Sequence, residues 1–185
     1  MAPSRIAAAA ARRISAAQAA ELVSSGMWLD YGGALCQPDA FDRALARRKD
    51  QLSGVKIRAC LTVRPRAVLE ADPHGEHFVW INLHFSGYDR QKHDAGIAHY
   101  LPVNLGEIPD YYRRFIEPPD IVILKTCPQD ANGFFNFSAT NAWMDPRGDR
   151  TGTPGDCRGV ERPALCPGRA EWPAPQRGGL HHPGR

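Results

Sequence analysis

Two segments carry residue types that can do chemistry. In residues 31–38 (Tyr-Gly-Gly-Ala-Leu-Cys-Gln-Pro) a short apolar stretch runs into two glycines and then a helix start. Gly33 lets a backbone come close to a ligand, and N–H groups at a helix start attract anions. Gln37 adds a side-chain amide. The spacing is neither Gly-x-Gly-x-x-Gly nor a P-loop, so an ordinary strand-to-helix turn is the default reading and a ligand contact the alternative. In residues 132–141 a Gly turn, an aromatic stretch and small polar side chains follow one another. Asn136, Ser138 and Asn141 can donate to a carbonyl or carboxylate. Equally, the Phe residues can fill a core while Ser138 caps a helix.

The remaining reactive types form no complete catalytic set. His74, His77, His84, His93 and His99 are scattered, with His181 and His182 near the end. His74-x-x-His77 is too short for a zinc helix motif and no HExxH occurs, so they read as solvated loop histidines. Cys36, Cys60 and Cys127 lie at or near expected strand ends, where packing of a small residue is the stronger reading over a reactive thiol. No GxSxG elbow is present. Arg64 and Arg66, with Asp89 and Arg90, read as solvated salt-bridge residues, with binding of an anion such as phosphate as the alternative.

The elements that must position these residues alternate. Ser15 and Gln18 have capping-box spacing, which predicts a helix over 16–24 with Gly26 closing it. Residues 27–31 read as a strand. Pro38 suits the first turn of a helix to about residue 48, with Phe41 and Leu45 on one face. Residues 55–63 alternate apolar and basic, which predicts a strand. Residues 67–71 suit a helical turn and 78–85 a third strand. Residues 86–95 are mixed and polar, a loop with a short helix. A helix is expected over 108–116, ended by Pro118 and Pro119. Ile121, Val122, Ile123 and Leu124 read as a central parallel strand buried on both faces. A turn at 130–133 and a strand at 134–137 follow. The fold class is therefore α/β, a mostly parallel sheet with flanking helices. Ligands in such sheets sit at the carboxyl ends of the strands.

Composition sets the boundaries. The chain has 185 residues, 19 Arg to 4 Lys, a net charge of +3 and five Cys without a CxxC pair. The charge gathers on no face, which argues against nucleic acid. No apolar run approaches the roughly 18 residues of a membrane span. Odd, widely spaced cysteines argue for a reducing compartment and a cytoplasmic protein. Arg5, Arg12 and Arg13 faintly resemble a mitochondrial presequence, but an Ala-rich leader into the first helix is the preferred reading. Composition changes at Met144. Residues 145–185 hold seven Pro, eight Gly and seven Arg, and no Lys. Such a stretch buries too little apolar surface to offset chain entropy, so disorder is expected. The domains expected are 1–144, folded, and 145–185, a disordered Pro/Gly/Arg-rich tail. An Arg-heavy, Lys-free tail is also what a G+C-rich gene yields out of frame; a genuine divergent tail is the rival reading.

Taken together, several stretches resemble the acetyl-CoA hydrolase/transferase family, in its butyrate/acetate or 4-hydroxybutyrate CoA-transferase branch. They are residues 15–20 and 30–32, Gln37 and Pro38 with 45–49, 55–58, and 68–73. The most telling are His84-Phe85-Ser86-Gly87-Tyr88-Asp89-Arg90 and then Gly133-Phe134-Phe135-Asn136-Phe137-Ser138. The match runs in order from about Arg13 to Trp143. The resemblance implies two related α/β domains facing each other across a cleft. It implies transfer of coenzyme A from a short-chain acyl-CoA to acetate, another carboxylate or water, through attack of a glutamate on the thioester. No cofactor is implied; the coenzyme A thioester is a substrate. Gly33, Gln37, Gly133, Phe135, Asn136 and Ser138 are then expected on the N-terminal wall of the cleft, as substrate-binding residues. In the family the glutamate and a Gly-rich CoA-binding segment belong to the C-terminal domain, so no residue here is given the catalytic role. The partners implied are acyl-CoA, a carboxylate and a missing C-terminal domain, without nucleic acid or membrane; a homo-oligomer stays open. This chain alone is expected to be inactive. The alternatives are a non-catalytic acyl- or CoA-binding module, a non-functional truncated product, and an acetyl-CoA hydrolase.

Overall fold

Ser15 starts the first helix as its spacing predicts: its hydroxyl accepts from the Gln18 N–H at 3.2 Å while its own N–H donates to Gln18 Oε1 at 2.9 Å. The structure, a computed structural model, describes residues 14–128. The leader, the strand expected at 134–137 and the tail from 145 lie outside the described residues.

The elements are α1 (Ala16–Ala20), β1 (Trp28–Tyr31), α2 (Asp39–Ala46), β2 (Val55–Ala59) and α3 (Ala67–Ala71). β3 (Phe78–Asn82), α4 (Gly87–Asp94), β4 (Ala98–Tyr100), α5 (Ile108–Arg114) and β5 (Ile121–Ile123) follow. The five strands form one parallel sheet in the order β4-β3-β2-β1-β5. An all-parallel sheet with a crossover between each pair of strands is the α/β architecture expected.

The alternation in β2 decides its faces. Val55, Ile57 and Ala59 are buried in one cluster with Leu29, Tyr31, Phe78 and Trp80, under Phe41 and Leu45 of α2 and Val68 and Leu69 of α3. Tyr31 is the pivot of this core, edge-on to Phe41 at 6.0 Å and to Trp80 at 5.8 Å. Such aromatic contacts add roughly 0.5–1.5 kcal/mol each beyond area burial. Trp28, Asp30, Lys56 and Arg58 point to the other face. There Arg58 is covered rather than solvated: its guanidinium lies 4.8 Å from the Trp28 ring and 5.0 Å from the Tyr112 ring of α5.

Several boundaries and one strand position differ from expectation. α1 ends at Ala20, four residues early. β2 stops at Ala59, where the backbone turns away at Leu61 with a left-handed φ of 52°, and β3 stops at Asn82. Pro38 stands one place before α2 as its N-cap rather than in its first turn. β5 ends the row of strands among the described residues instead of lying at its centre, although Ile121 and Ile123 are buried.

Candidate ligand edge of the sheet

Successive strands step outward from β1 to β4, and then the chain crosses back to place β5 on the other side of β1. The strand order therefore reverses between β1 and β5. In open α/β sheets the connections leave such a point in opposite directions and open a crevice at the carboxyl ends. The turn singled out in the sequence sits there. Gly32 N–H donates to Ile123 O of β5 at 2.9 Å, and Lys125 N–H donates to Cys36 O at 2.9 Å. A Cβ on Gly32 would come within 2.3 Å of Cys36 O, so only glycine fits.

The turn is strained as well as tight. Ala34 adopts φ 46°, and its N–H donates to Cys60 O at 3.0 Å. Non-glycine residues in this region cost about 1–3 kcal/mol and gather where a surrounding structure enforces them. Leu61, after β2, is the second such residue. Both lie at the carboxyl edge. Leu35 and Val63 are the large apolar side chains exposed on these two turns.

Beneath the turns runs a buried polar chain. Gln37 is fully buried; its Nε2 reaches Thr62 Oγ1 at 3.4 Å, while its Oε1 has no partner. Asn82 Nδ2 donates to Thr62 Oγ1 at 3.0 Å and to Asp89 Oδ1 at 2.8 Å. Asn82 Oδ1 accepts from the N–H groups of Leu61 and His84. Asp89 Oδ2 accepts from the N–H groups of Thr62 and Ser86, and Ser86 caps α4 in return. One chain of side chains thus ties the ends of β2 and β3 to the start of α4. Asn82 and Thr62 were not read from the sequence, since only tertiary contact joins them. The Ser86-x-x-Asp89 spacing is a capping-box signal that was there to find.

A second cluster surrounds Asp39. Arg66 Nη2 lies 2.8 Å from Asp39 Oδ1, and Arg64 Nη2 and Lys125 Nζ lie 3.0 and 3.3 Å from Oδ2. Burial pushes the Asp39 carboxyl up, but the three cations outweigh it and hold it below the usual range. This places Arg64 and Arg66 in ion pairs as expected, but only Arg64 is solvated; Arg66 is buried. Asp42, one helical turn on, is pushed up to about 6, chiefly by burial and against the pull of Arg66. It accepts from the Ala67 N–H at 2.5 Å and from Tyr31 Oη at 3.5 Å.

Two of the cysteines, Cys36 and Cys60, are enclosed in the fold. Cys60 is buried and its thiol is pushed up to about 11, first by burial and then by Asp89. Cys36 is buried as well. Among the described residues no group of three His, Cys, Asp or Glu could hold a metal ion. Nor is any helix among them long and apolar enough to cross a membrane.

Of the six expected substrate-binding residues, Gly33 and Gln37 fall on the turn at the order reversal. Gln37 is turned inward to Thr62, where it braces the turn. Gly133, Phe135, Asn136 and Ser138 lie outside the described residues.

Comparison with known proteins identifies the family of the chain. A family model described as acetyl-CoA hydrolase/transferase N-terminal domain matches residues 9–145. A butyryl-CoA:acetate CoA-transferase of Anaerostipes caccae is 36% identical over 123 residues, 66% of this chain and 28% of that protein. A succinyl-CoA:cyclohexane-1-carboxylate CoA transferase of Geobacter metallireducens is 31% identical over 130 residues, 70% of this chain and 29% of that protein. The matches thus span under a third of the relatives' own length. RipA from Yersinia pestis superposes with a TM-score of 0.55 at 18% identity, over 66% of this chain and 30% of that one, a likeness of fold.

Proposed function

We infer that this chain, which belongs to the acetyl-CoA hydrolase/transferase family, supplies the N-terminal wall of a cleft for coenzyme A transfer. The observation that carries this reading is the strained, glycine-dependent turn at the reversal of strand order, inside the region the family model matches. The reaction is transfer from a short-chain acyl-CoA to acetate or another carboxylate. Curated relatives named as transferases to carboxylates favour transfer over hydrolysis.

In this reading a carboxylate nucleophile, borne by a second domain, attacks the thioester carbonyl. An acyl–enzyme anhydride forms and the CoA thiolate leaves. The thiolate then attacks the enzyme's acyl carbon, giving an enzyme–CoA thioester and releasing the first acid. The incoming carboxylate reverses both steps. The part left to this chain is orientation and exclusion of water. Gly33 brings the turn's backbone up to the substrate, and Gln37 holds that turn from beneath. Gly133, Phe135, Asn136 and Ser138 are proposed to line the same wall. The family match ends at residue 145, beside the change in composition at Met144, which supports a domain over 1–144 and a tail from 145 outside it.

The test is complementation. The chain is mixed with the C-terminal segment of a butyryl-CoA:acetate CoA-transferase and given butyryl-CoA and acetate. Acetyl-CoA formed by the mixture, and by neither part alone, supports the reading. No acetyl-CoA from a mixture whose two parts are folded and associated overturns it.

A further inference from the structure

We propose that Arg64 and Lys125 form an anion subsite at the carboxyl edge of the sheet, which takes a phosphate group of the coenzyme A thioester. The proposal rests on the CoA-transfer reading and places one charged group of that substrate.

Geometry sets the two residues apart from the rest of their cluster. Arg64 follows β2 and Lys125 follows β5, yet both reach the same atom, Asp39 Oδ2, at 3.0 and 3.3 Å. Their cationic heads are therefore close enough for one phosphate to accept from both. Their side chains are 45% and 38% exposed, whereas that of Arg66 is 2% exposed. Arg66 is the internal counter-ion: it binds Asp39 Oδ1, and its Nη1 is buried beside this cluster without a partner. Arg64 and Lys125 each commit one donor to Asp39 and keep others open to solvent.

Charge and place agree. Three cations face Asp39, with Asp42 beside Arg66, so the cluster keeps a surplus positive charge. A single carboxylate ligand could do little more than replace Asp39. A dianionic phosphate carries more charge than Asp39 and three acceptor oxygens for a guanidinium and an ammonium. The Lys125 N–H holds Cys36 O of the turn at the order reversal, so the cations flank the crevice where an α/β sheet receives its ligand.

The experiment titrates the full chain with coenzyme A, inorganic pyrophosphate, phosphate-free pantetheine and butyrate, by calorimetry and NMR into the millimolar range. The proteins are wild type, Arg64→Gln, Lys125→Gln and the double variant, each checked for its fold by circular dichroism. The expected result is loss of affinity for coenzyme A and pyrophosphate, about tenfold per cation, with pantetheine unchanged. Added salt should weaken wild-type binding and matter less to the double variant. Equal phosphate affinity in wild type and a folded double variant overturns the subsite, as does no phosphate binding by wild type. Butyrate binding that depends on the two cations, with pyrophosphate indifferent to them, overturns the phosphate assignment in favour of the acid. Cation-dependent pyrophosphate binding beside failed complementation leaves the subsite standing and removes the transferase reading.

Discussion

Asp30 and Arg58 stand directly opposite each other on neighbouring parallel strands, joined by a 2.6 Å bond that is almost wholly out of water. A second Arg58 nitrogen donates to Glu117 O at 2.6 Å, which fastens the segment after α5 to the sheet. Burial raises the Asp30 carboxyl above its ordinary value, and Arg58 only partly offsets it. The pair thus depends on both partners. Arg58→Met should cost about 3–5 kcal/mol, because the buried Asp30 carboxylate is left without an opposite charge. The double change to Asp30→Leu and Arg58→Met should recover most of that loss. Urea unfolding of the four proteins in the cycle checks this. A single variant as stable as wild type would sink the account.

Asp42 predicts an unusual pH dependence. Its folded value of about 6 lies above its ordinary 3.8, so between those values the folded chain holds the proton and the unfolded chain does not. The associated stability is complete below about pH 4 and is lost as pH rises through 6. Its size is on the order of 2–3 kcal/mol. Asp42→Asn should flatten the dependence of unfolding free energy on pH between 4 and 6. An unchanged slope would place the titration elsewhere.

Gly32 and Gly87 should respond oppositely to alanine. At Gly32 the new Cβ meets the Cys36 carbonyl, a backbone atom that cannot swing aside, while at Gly87 nothing lies within 4 Å. Gly32→Ala should distort the turn, lower the melting temperature by several degrees and weaken ligand binding. Gly87→Ala lies at the start of α4 and should be neutral or stabilising by up to about 1 kcal/mol. Thermal unfolding of the two variants side by side decides it.

Asn82 should matter beyond its own strand. Its side chain serves Thr62, Asp89 and the N–H groups of Leu61 and His84. Asn82→Ala leaves these buried groups short of partners and should cost about 2–4 kcal/mol. Amide exchange at Leu61 and Thr62 should accelerate more than exchange within β1. Uniform acceleration over the whole sheet would indicate general destabilisation instead.

Local signals carried the elements that obey them. Alternation in β2 and capping-box spacing at Ser15 were legible because each rests on neighbours in sequence. β4 was not, since three residues hold no pattern and Ala98 is placed by pairing with Trp80. The end of β2 was overrun because a leucine in left-handed backbone leaves no mark that a glycine would. The alternation in β2 gave no sign that Arg58 is buried, since its cover comes from Tyr112 far along the chain. For the site, two adjacent glycines pointed to the turn at Gly33. The reversal of strand order beside it is a property of topology, which no single stretch of sequence encodes.

The pairing of β5 with β1 also governs events during synthesis. The Trp28 N–H bonds to Asp120 across 92 residues, and Leu29 pairs with Ile121. At about 5–20 residues per second, a ribosome needs roughly 5–20 s to deliver that partner after β1 has emerged. Strands β2 to β4 can add outward in the meantime. The inner border of β1 must wait with its hydrogen-bonding groups unpaired, an open template for any other nascent strand. A pause in translation placed before residue 121 should lengthen this exposure, and a chaperone covering β1 should limit its cost to the yield of native chain.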